Sequence, residues 1–180
     1  MTVDVNPNRF RDPAARLAQM LDRRVNCPPT SSAGRLFDAA CGLLGIHPIA
    51  DFEGQAPMAL EALVTTPTVM ADGWRTDRGT LDLTPLLAAL AACADAADGA
   101  NLFHGTLAAA LAAWVAAAAA ETGIATVALG GGCFLNRVLG PLLMERLNGA
   151  GLKPLTAQRL SPGDAALSLG QAWIAGQWGE

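Results

Sequence analysis

A chain of 180 residues and 18.5 kDa is one ordinary domain or one lobe of a larger one, long enough to bury a core without disulfide or metal staples. Hydrophobic residues make up 52%, but 37 residues are alanine, so the large apolar surface is smaller than that figure suggests. Charged residues are only 16% and the net charge is −4, which excludes a basic nucleic-acid binder that works by neutralising phosphates and a disordered chain.

Met1 to Arg11 is polar, carries Pro7 and has no apolar core of a signal peptide; residues 1–11 are expected to be flexible. Asp12 to Val25 predicts a helix, with Pro13 in the first turn and Ala15, Leu17, Leu21 and Val25 at helical spacing. Asn26-Cys27-Pro28-Pro29 is its expected stop. A second helix, Ser32 to Leu44, is capped by Thr30 or Ser31, buries Leu36, Phe37, Ala40, Leu43 and Leu44, and ends at Gly45. His47 to Phe52 reads as an extended linker, and Gln55 to Val64 as a third helix with Pro57 in its first turn.

Thr66 to Asp82 fits a β-hairpin. Asp82 or Thr84 then caps a helix running through Cys93, Asp95 to Gly99 is a break, and Asn101 to Glu121 is a long helix with Phe103, Leu107, Leu111, Trp114 and Val115 on one face and Gly123 just past its end. Its longest apolar stretch, Leu107 to Ala120, is 14 residues, mostly alanine, too short to span a bilayer. Ile124 to Leu129 reads as a buried strand, followed at once by Gly130-Gly131-Gly132, a helix from Asn136 to Asn148, a second strand from Lys153 to Ala157, a turn at Ser161 to Asp164 and a closing helix from Ala165 to Trp178. Strand, helix, strand with a short return predicts a parallel pair.

The four cysteines, Cys27, Cys41, Cys93 and Cys133, contain no CxxC pair and are too sparse for a disulfide framework. A reduced, cytoplasmic protein is expected. Neither His47 nor His104 has a histidine four residues on, and there is no GxSxG, so no HxxxH or HExxH metal motif and no serine triad can be argued.

What remains is a set of short stretches, each with an ordinary structural explanation and a functional one. Gly130 to Gly132 lies between strand and helix, where missing Cβ atoms let backbone approach a ligand and a helix start offers N–H groups to an anion; it is neither a Walker loop nor GxGxxG, and a tight turn explains it as well. Asn136 can cap the helix or bond a base or ribose. Asp164 is a helix cap or a carboxylate presented to a ligand or metal. Asp38 lies mid-helix beside the apolar stripe, where most aspartates are solvated. Glu53, before Gly54, is a first-turn charge or a ligand contact. His104 is expected to be structural, and Cys133 is the one cysteine not simply a small core residue.

Taken together, five phrases resemble the C-terminal region of the HypF-type carbamoyltransferases of hydrogenase maturation. They are Asn26-Cys27-Pro28-Pro29-Thr30-Ser31-Ser32-Ala33-Gly34-Arg35-Leu36-Phe37-Asp38; Phe52-Glu53-Gly54-Gln55-Ala56 with Glu61; Phe103-His104; Gly131-Gly132-Cys133-Phe134-Leu135-Asn136-Arg137; and Pro162-Gly163-Asp164 through Leu169-Gly170-Gln171. They stand in family order from about residue 15 to the end. The resemblance implies an α/β fold, one lobe of an actin/Hsp70-like (ASKHA) ATPase, helix-rich, with a small sheet containing a parallel β-α-β unit, and the whole of 1–180 as that single lobe. It implies ATP bound between two lobes, carbamoyl-adenylate made from carbamoyl phosphate and ATP, and transfer of the carbamoyl group to the C-terminal cysteine of HypE for the cyanide ligands of nickel–iron hydrogenase.

By the same resemblance Asp38 matches the ribose contact, Glu53 and Gly54 the next nucleotide segment, Gly131, Gly132 and Asn136 the turn and asparagine that hold the nucleotide, and Asp164 the carboxylate that completes an iron or zinc site. The implied partners are HypE and the N-terminal lobe and domains, with no nucleic acid, no membrane, and self-association through the lobe-docking face. The sequence departs from the family pattern at Cys133, where valine is usual, and at Pro162-Gly163-Asp164-Ala165-Ala166, where Asn-Asp-Gly-Gly is usual; the family's HxxxH of the first lobe is absent. Such a lobe is expected to be inactive alone. The other reading is a stand-alone, non-catalytic nucleotide- or partner-binding module of the same fold; a bare helical scaffold would leave the clustered phrases unexplained.

Overall fold

The computed structural model describes residues 13–178, so the expectations for residues 1–11 and for a helix start at Asp12 lie outside the described residues, as does the side chain of Ala15. The chain divides into two compact units, Met1–Ser32 and Ala33–Glu180.

The first unit contains helix α1, Pro13–Asp22. It ends three residues before the expected Val25 because Arg24 takes a left-handed conformation, φ 52°. The Val25 N–H then reaches back to the Met20 carbonyl (2.8 Å) and the Arg24 N–H to that of Leu21 (3.1 Å), a Schellman closure made without glycine. The proline pair lies further on and does not set the boundary.

The second unit is built around α5. Helix α2, Ala33–Leu43, buries Phe37, Ala40 and Cys41; Leu43, expected inside, is exposed, and Cys41 takes the inner position. Gly45, φ 69°, closes α2, with the Ile46 N–H on the Cys41 carbonyl at 2.9 Å. The 47–52 segment bends repeatedly rather than forming an extended linker, with His47 at φ 45°. Helix α3, Gln55–Ala62, contributes Ala56 and Leu60 to the core.

The expected hairpin shrinks to strands β1, Arg75–Asp77, and β2, Thr80–Asp82, antiparallel about Arg78 and Gly79. Residues 66–74 are not strand because their backbone is satisfied by α5 instead. Thr65 and Thr66 N–H groups donate to Asn101 Oδ1 at 2.9 and 2.8 Å, Thr68 N–H to the Asn101 carbonyl at 3.1 Å, and Met70 N–H to Thr106 Oγ1 at 3.0 Å. Buried polar groups must be paired, and here a helix and a coil pair each other.

Helix α4, Thr84–Ala91, starts where Asp82 Oδ1 accepts from the Thr84 N–H at 2.8 Å. Helix α5 spans Ala96–Thr122. The break expected at Asp95–Gly99 is only its start: the Asp95 carboxylate accepts from the Ala97 and Asp98 N–H groups at 2.8 and 3.0 Å, a cap worth about 1 kcal/mol. Gly123, φ 71°, closes the helix as expected. Among the described residues α5, 27 residues long, is the one helix long and apolar enough by length and composition to cross a membrane, well beyond the 14-residue apolar stretch counted in sequence. Half of its apolar window is buried, and the helix packs against α3, α4 and α6. Its small alanines, Ala108, Ala109, Ala110 and Ala112, let those neighbours approach the axis.

Strand β3, Thr126–Leu129, and strand β4, Lys153–Thr156, pair in parallel from Thr126↔Lys153 to Leu129↔Thr156, as the strand–helix–strand pattern predicts. Between them lie a 3-10 turn, Gly132–Leu135, and helix α6, Leu139–Gly149. The strand β3 is not wholly buried: Leu129 packs with Leu143 and Leu147 of α6, while the opposite face of the pair leaves Leu155 exposed. A second 3-10 turn, Asp164–Ala166, leads into α7, Leu167–Gln177. The result is a helix-rich α/β unit with two small sheets.

Candidate functional site

Asp38 follows the buried Phe37 on α2, so it sits at the edge of the core. Its carboxylate is partly exposed and pairs with Arg35 one turn back at 3.0 Å. Its charge also acts inward. Burial, and then Asp38, push the Cys41 thiol up to about 11. The same two causes raise the Cys133 thiol above its ordinary range. Cys133 belongs to the 3-10 turn after the glycine run, so α2 and that turn are neighbours, and both thiols are poor nucleophiles at neutral pH.

The glycine run does not open directly into the α-helix. Gly131 has φ 109° and ψ 157°, a region essentially closed to residues with a Cβ. It lets the chain fold back so that Phe134 N–H bonds the Gly131 carbonyl (3.1 Å) and Asn136 N–H that of Cys133 (3.2 Å). The α-helix therefore begins at Leu139 rather than Asn136. Asn136 still heads it: its Oδ1 accepts from the Val138 and Leu139 N–H groups at 3.0 and 2.8 Å. These bonds brace the turn into α6, whose cap position is Val138, and they use both acceptor positions of the oxygen. Nδ2 lies 3.2 Å from His104 Nε2. One Nδ2–H is left for a ligand.

The Pro162–Asp164 turn docks on this glycine turn. Gly131 N–H donates to the Pro162 carbonyl at 2.6 Å, and a Cβ on Gly163 would lie 3.3 Å from the Gly132 Cα. Asp164 is the first residue of its 3-10 turn, not the cap; no side-chain capping bond is made there, because Gly163 holds the cap position. Asp164 is exposed and directly follows the two residues, Pro162 and Gly163, that meet Gly131 and Gly132.

Asp38, Gly131, Gly132, Asn136 and Asp164 are thus assembled from three stretches of chain. Glu53 and Gly54 stand apart. Gly54, φ 86°, caps α3 through its backbone conformation, and the loop before it is closed by Asp51 N–H on Gln55 Oε1 at 2.6 Å. Glu53 is exposed. Helix α3, which follows this loop, packs on α2, the helix of Asp38, but among the described residues no hydrogen bond or ion pair joins Glu53 to the other site residues.

His104 was the residue whose connection the sequence hid. It is wholly buried, and its partner Asn136 is 32 positions away, so no local pattern announces the pair. The other histidine, His47, lies outside this cluster in the 47–52 segment.

No group of three His, Cys, Asp or Glu side chains that could hold a metal exists among the described residues. Asp164 supplies a single carboxylate, and one ligand holds a divalent ion weakly.

The profile of the family described as "Carbamoyltransferase, Kae1-like Domain, second subdomain" matches residues 3–171. The chain is 44% identical to the carbamoyltransferase HypF2 of Cupriavidus necator, over 92% of this chain and 24% of that protein. It is 47% identical to a HypF homolog of the same organism, over 90% of this chain and 44% of that protein. It is 46% identical to HypF of Rhizobium leguminosarum bv. viciae, over 90% and 22%. Among solved structures, full-length HypF in the phosphate- and nucleotide-bound form superposes with a TM-score of 0.80 at 28% identity, covering 96% of this chain and 23% of that one. The HypF of T. kodakarensis gives 0.71 at 26%, covering 91% and 22%. The chain spans from under a quarter to under half the length of these relatives.

Proposed function

Because this chain belongs to the carbamoyltransferase family as its Kae1-like second subdomain, we propose that it is the C-terminal, actin/Hsp70-like lobe of a hydrogenase-maturation carbamoyltransferase and grips half of an ATP. In the intact cytoplasmic enzyme, carbamoyl phosphate, water and ATP give carbamoyl-adenylate with release of phosphate and pyrophosphate, and the carbamoyl group then passes to the C-terminal cysteine thiol of HypE with release of AMP. The observation that carries this reading is the docking of the Pro162–Asp164 turn on Gly131 and Gly132 next to the charge of Asp38. It is supported by one relative's description, which names a phosphate- and nucleotide-bound form.

The charges divide the work. Asp38 on a helix surface suits a ribose, since a carboxylate accepts from hydroxyls. Gly131 and Gly132 offer open backbone, and Asn136 offers its one remaining N–H. Asp164 beside them would repel a polyphosphate unless a cation stood between. That is the place at which iron or zinc would be shared, with its other ligands on the first lobe.

Calorimetric titration of the chain with ATP is expected to give weak binding that Asp38→Ala and Asn136→Ala each abolish. Binding untouched by either change would remove these positions from the site. Circular dichroism melts accompany the titration, because Asn136→Ala also removes two hydrogen bonds at the head of α6, each worth about 0.5–1.5 kcal/mol.

The lobe reading also accounts for α7. Its residues are all exposed, including Trp173 at 70% and Ile174 at 57%, and it packs chiefly on the 3-10 turn preceding it. A run of exposed tryptophan, isoleucine and leucine marks an interface, here the docking face for the rest of the enzyme. In size-exclusion chromatography the chain is expected to self-associate, and Trp173→Ser with Ile174→Ser to return it to a single monomeric peak. A monodisperse wild-type chain would favour the stand-alone module instead.

A further inference from the structure

His104 occupies a fully buried position between two elements of the proposed site. Its Nδ1 lies 2.9 Å from the Ala100 carbonyl. A carbonyl only accepts, so Nδ1 carries the hydrogen, and the neutral ring presents a bare lone pair at Nε2. Burial pushes the imidazole below its usual range, against smaller raising effects from the Ala100 carbonyl and from Glu61 of α3, which keeps that lone pair free. Facing it at 3.2 Å is the Nδ2 end of Asn136.

The consequence is orientational. With Nδ2 on the imidazole, Oδ1 faces the Val138 and Leu139 N–H groups. Turning the amide over would set Oδ1 against the Nε2 lone pair and NH2 against two N–H donors, losing all three bonds. The ring itself is held edge-on by Phe103, 5.4 Å between centroids at 89°, and by Phe37, 5.7 Å at 71°. Phe37 directly precedes Asp38.

We propose that His104 is a positioning residue: it fixes the Asn136 carboxamide in one orientation, so that the remaining Nδ2–H is what the site offers a nucleotide, and it braces that amide against the helix that carries Asp38. This rests on the nucleotide reading for the ligand, while the orientation itself is independent of it.

The test uses the whole chain with His104→Phe, which keeps a ring but no nitrogen, and His104→Gln, whose Oε1 can accept at the place of Nε2. Nitrogen-15 NMR of the wild type is expected to show the Nδ1–H tautomer and a single, sharp Asn136 side-chain NH2 pair. In His104→Phe that pair shifts and broadens, whereas in His104→Gln it stays sharp. ATP affinity is expected to fall about tenfold in His104→Phe, the scale of one hydrogen bond, and to recover in His104→Gln.

An Nε2–H tautomer, or an Asn136 amide unchanged in His104→Phe, overturns the proposal. So does ATP affinity in His104→Phe equal to that of the wild type. A wild-type chain that binds no ATP but shows the tautomer and the sharp amide pair would overturn the nucleotide reading and leave the positioning role confirmed. Should His104→Phe not fold, the wild-type tautomer and the His104→Gln amide signals decide the matter.

Discussion

Phe103→Ala is expected to lower the unfolding free energy by about 3–5 kcal/mol, the range for an aromatic deleted from a packed core. Phe103 has no exposed surface and stands 4.9 Å from Phe37 in an edge-on contact at 78°. It also touches His104. Helices α2 and α5 therefore both lose packing, and α5, from which it projects, cannot close inward because its buried alanines have no side chain to move into the gap. Against a total stability of about 5–15 kcal/mol for a domain of ordinary size, such a loss takes a large share of the whole. Urea unfolding followed by circular dichroism measures it. Trp178→Ala is the comparison: that larger side chain is 85% exposed, and its removal is expected to change stability by less than about 0.5 kcal/mol. A Phe103→Ala loss below about 1 kcal/mol would mean that the centre of the fold is elsewhere.

The same contrast explains what could be read from sequence. Helices α2, α3 and α6 and the long α5 were legible because apolar spacing and Gly45 or Gly123 mark them, and Lys153 to Thr156 was legible as the return strand. What was lost depended on partners far along the chain. Thr65 to Met70 looks like strand, with its threonines and valine, yet its backbone is held by Asn101 and Thr106, about 36 positions away. The start of α5 lies ahead of the predicted one because Asp95 and Asp98 resemble a break, whereas the Asp95 carboxylate accepts two N–H bonds there. At α1, an arginine in a left-handed conformation did what glycine usually does, and no composition rule signals that.

The site was legible in a different way. Asp38, Gly131, Gly132, Asn136 and Asp164 were selected by resemblance, and the structure sets their three stretches side by side. Local physics leaves Asn136 as a cap or a ligand contact, and the structure finds its Oδ1 on the Val138 and Leu139 N–H groups that lead into α6. The proposed nucleotide contact is compatible with that role, because a carboxamide has an oxygen for the helix start and a second N–H to spare. The sequence could not show that His104 decides which end faces which way.

Gly105→Ala is expected to destabilise the protein by about 3 kcal/mol, the upper part of the range for overpacking, although alanine is the better helix former by about 0.8–1.0 kcal/mol. A Cβ at position 105 would run into the Thr68 carbonyl oxygen, and would also lie 2.7 and 2.8 Å from the Thr68 carbonyl carbon and nitrogen. Those atoms are backbone and cannot rotate away, and the segment is tied to α5 on both sides of the contact by the bonds from Thr66 and Met70. Moving it costs those hydrogen bonds; leaving it costs the clash. Gly42→Ala isolates the propensity effect. Gly42 is exposed on α2, and a Cβ there meets nothing within 4 Å, so the same substitution is expected to stabilise by about 0.5–1 kcal/mol. Two glycines in helices, one substitution and opposite signs in thermal melts are the expected result. If both changes were to stabilise the chain, the close approach of residues 65–70 to α5 would be wrong, and with it the hydrogen bonds that replace the predicted strand.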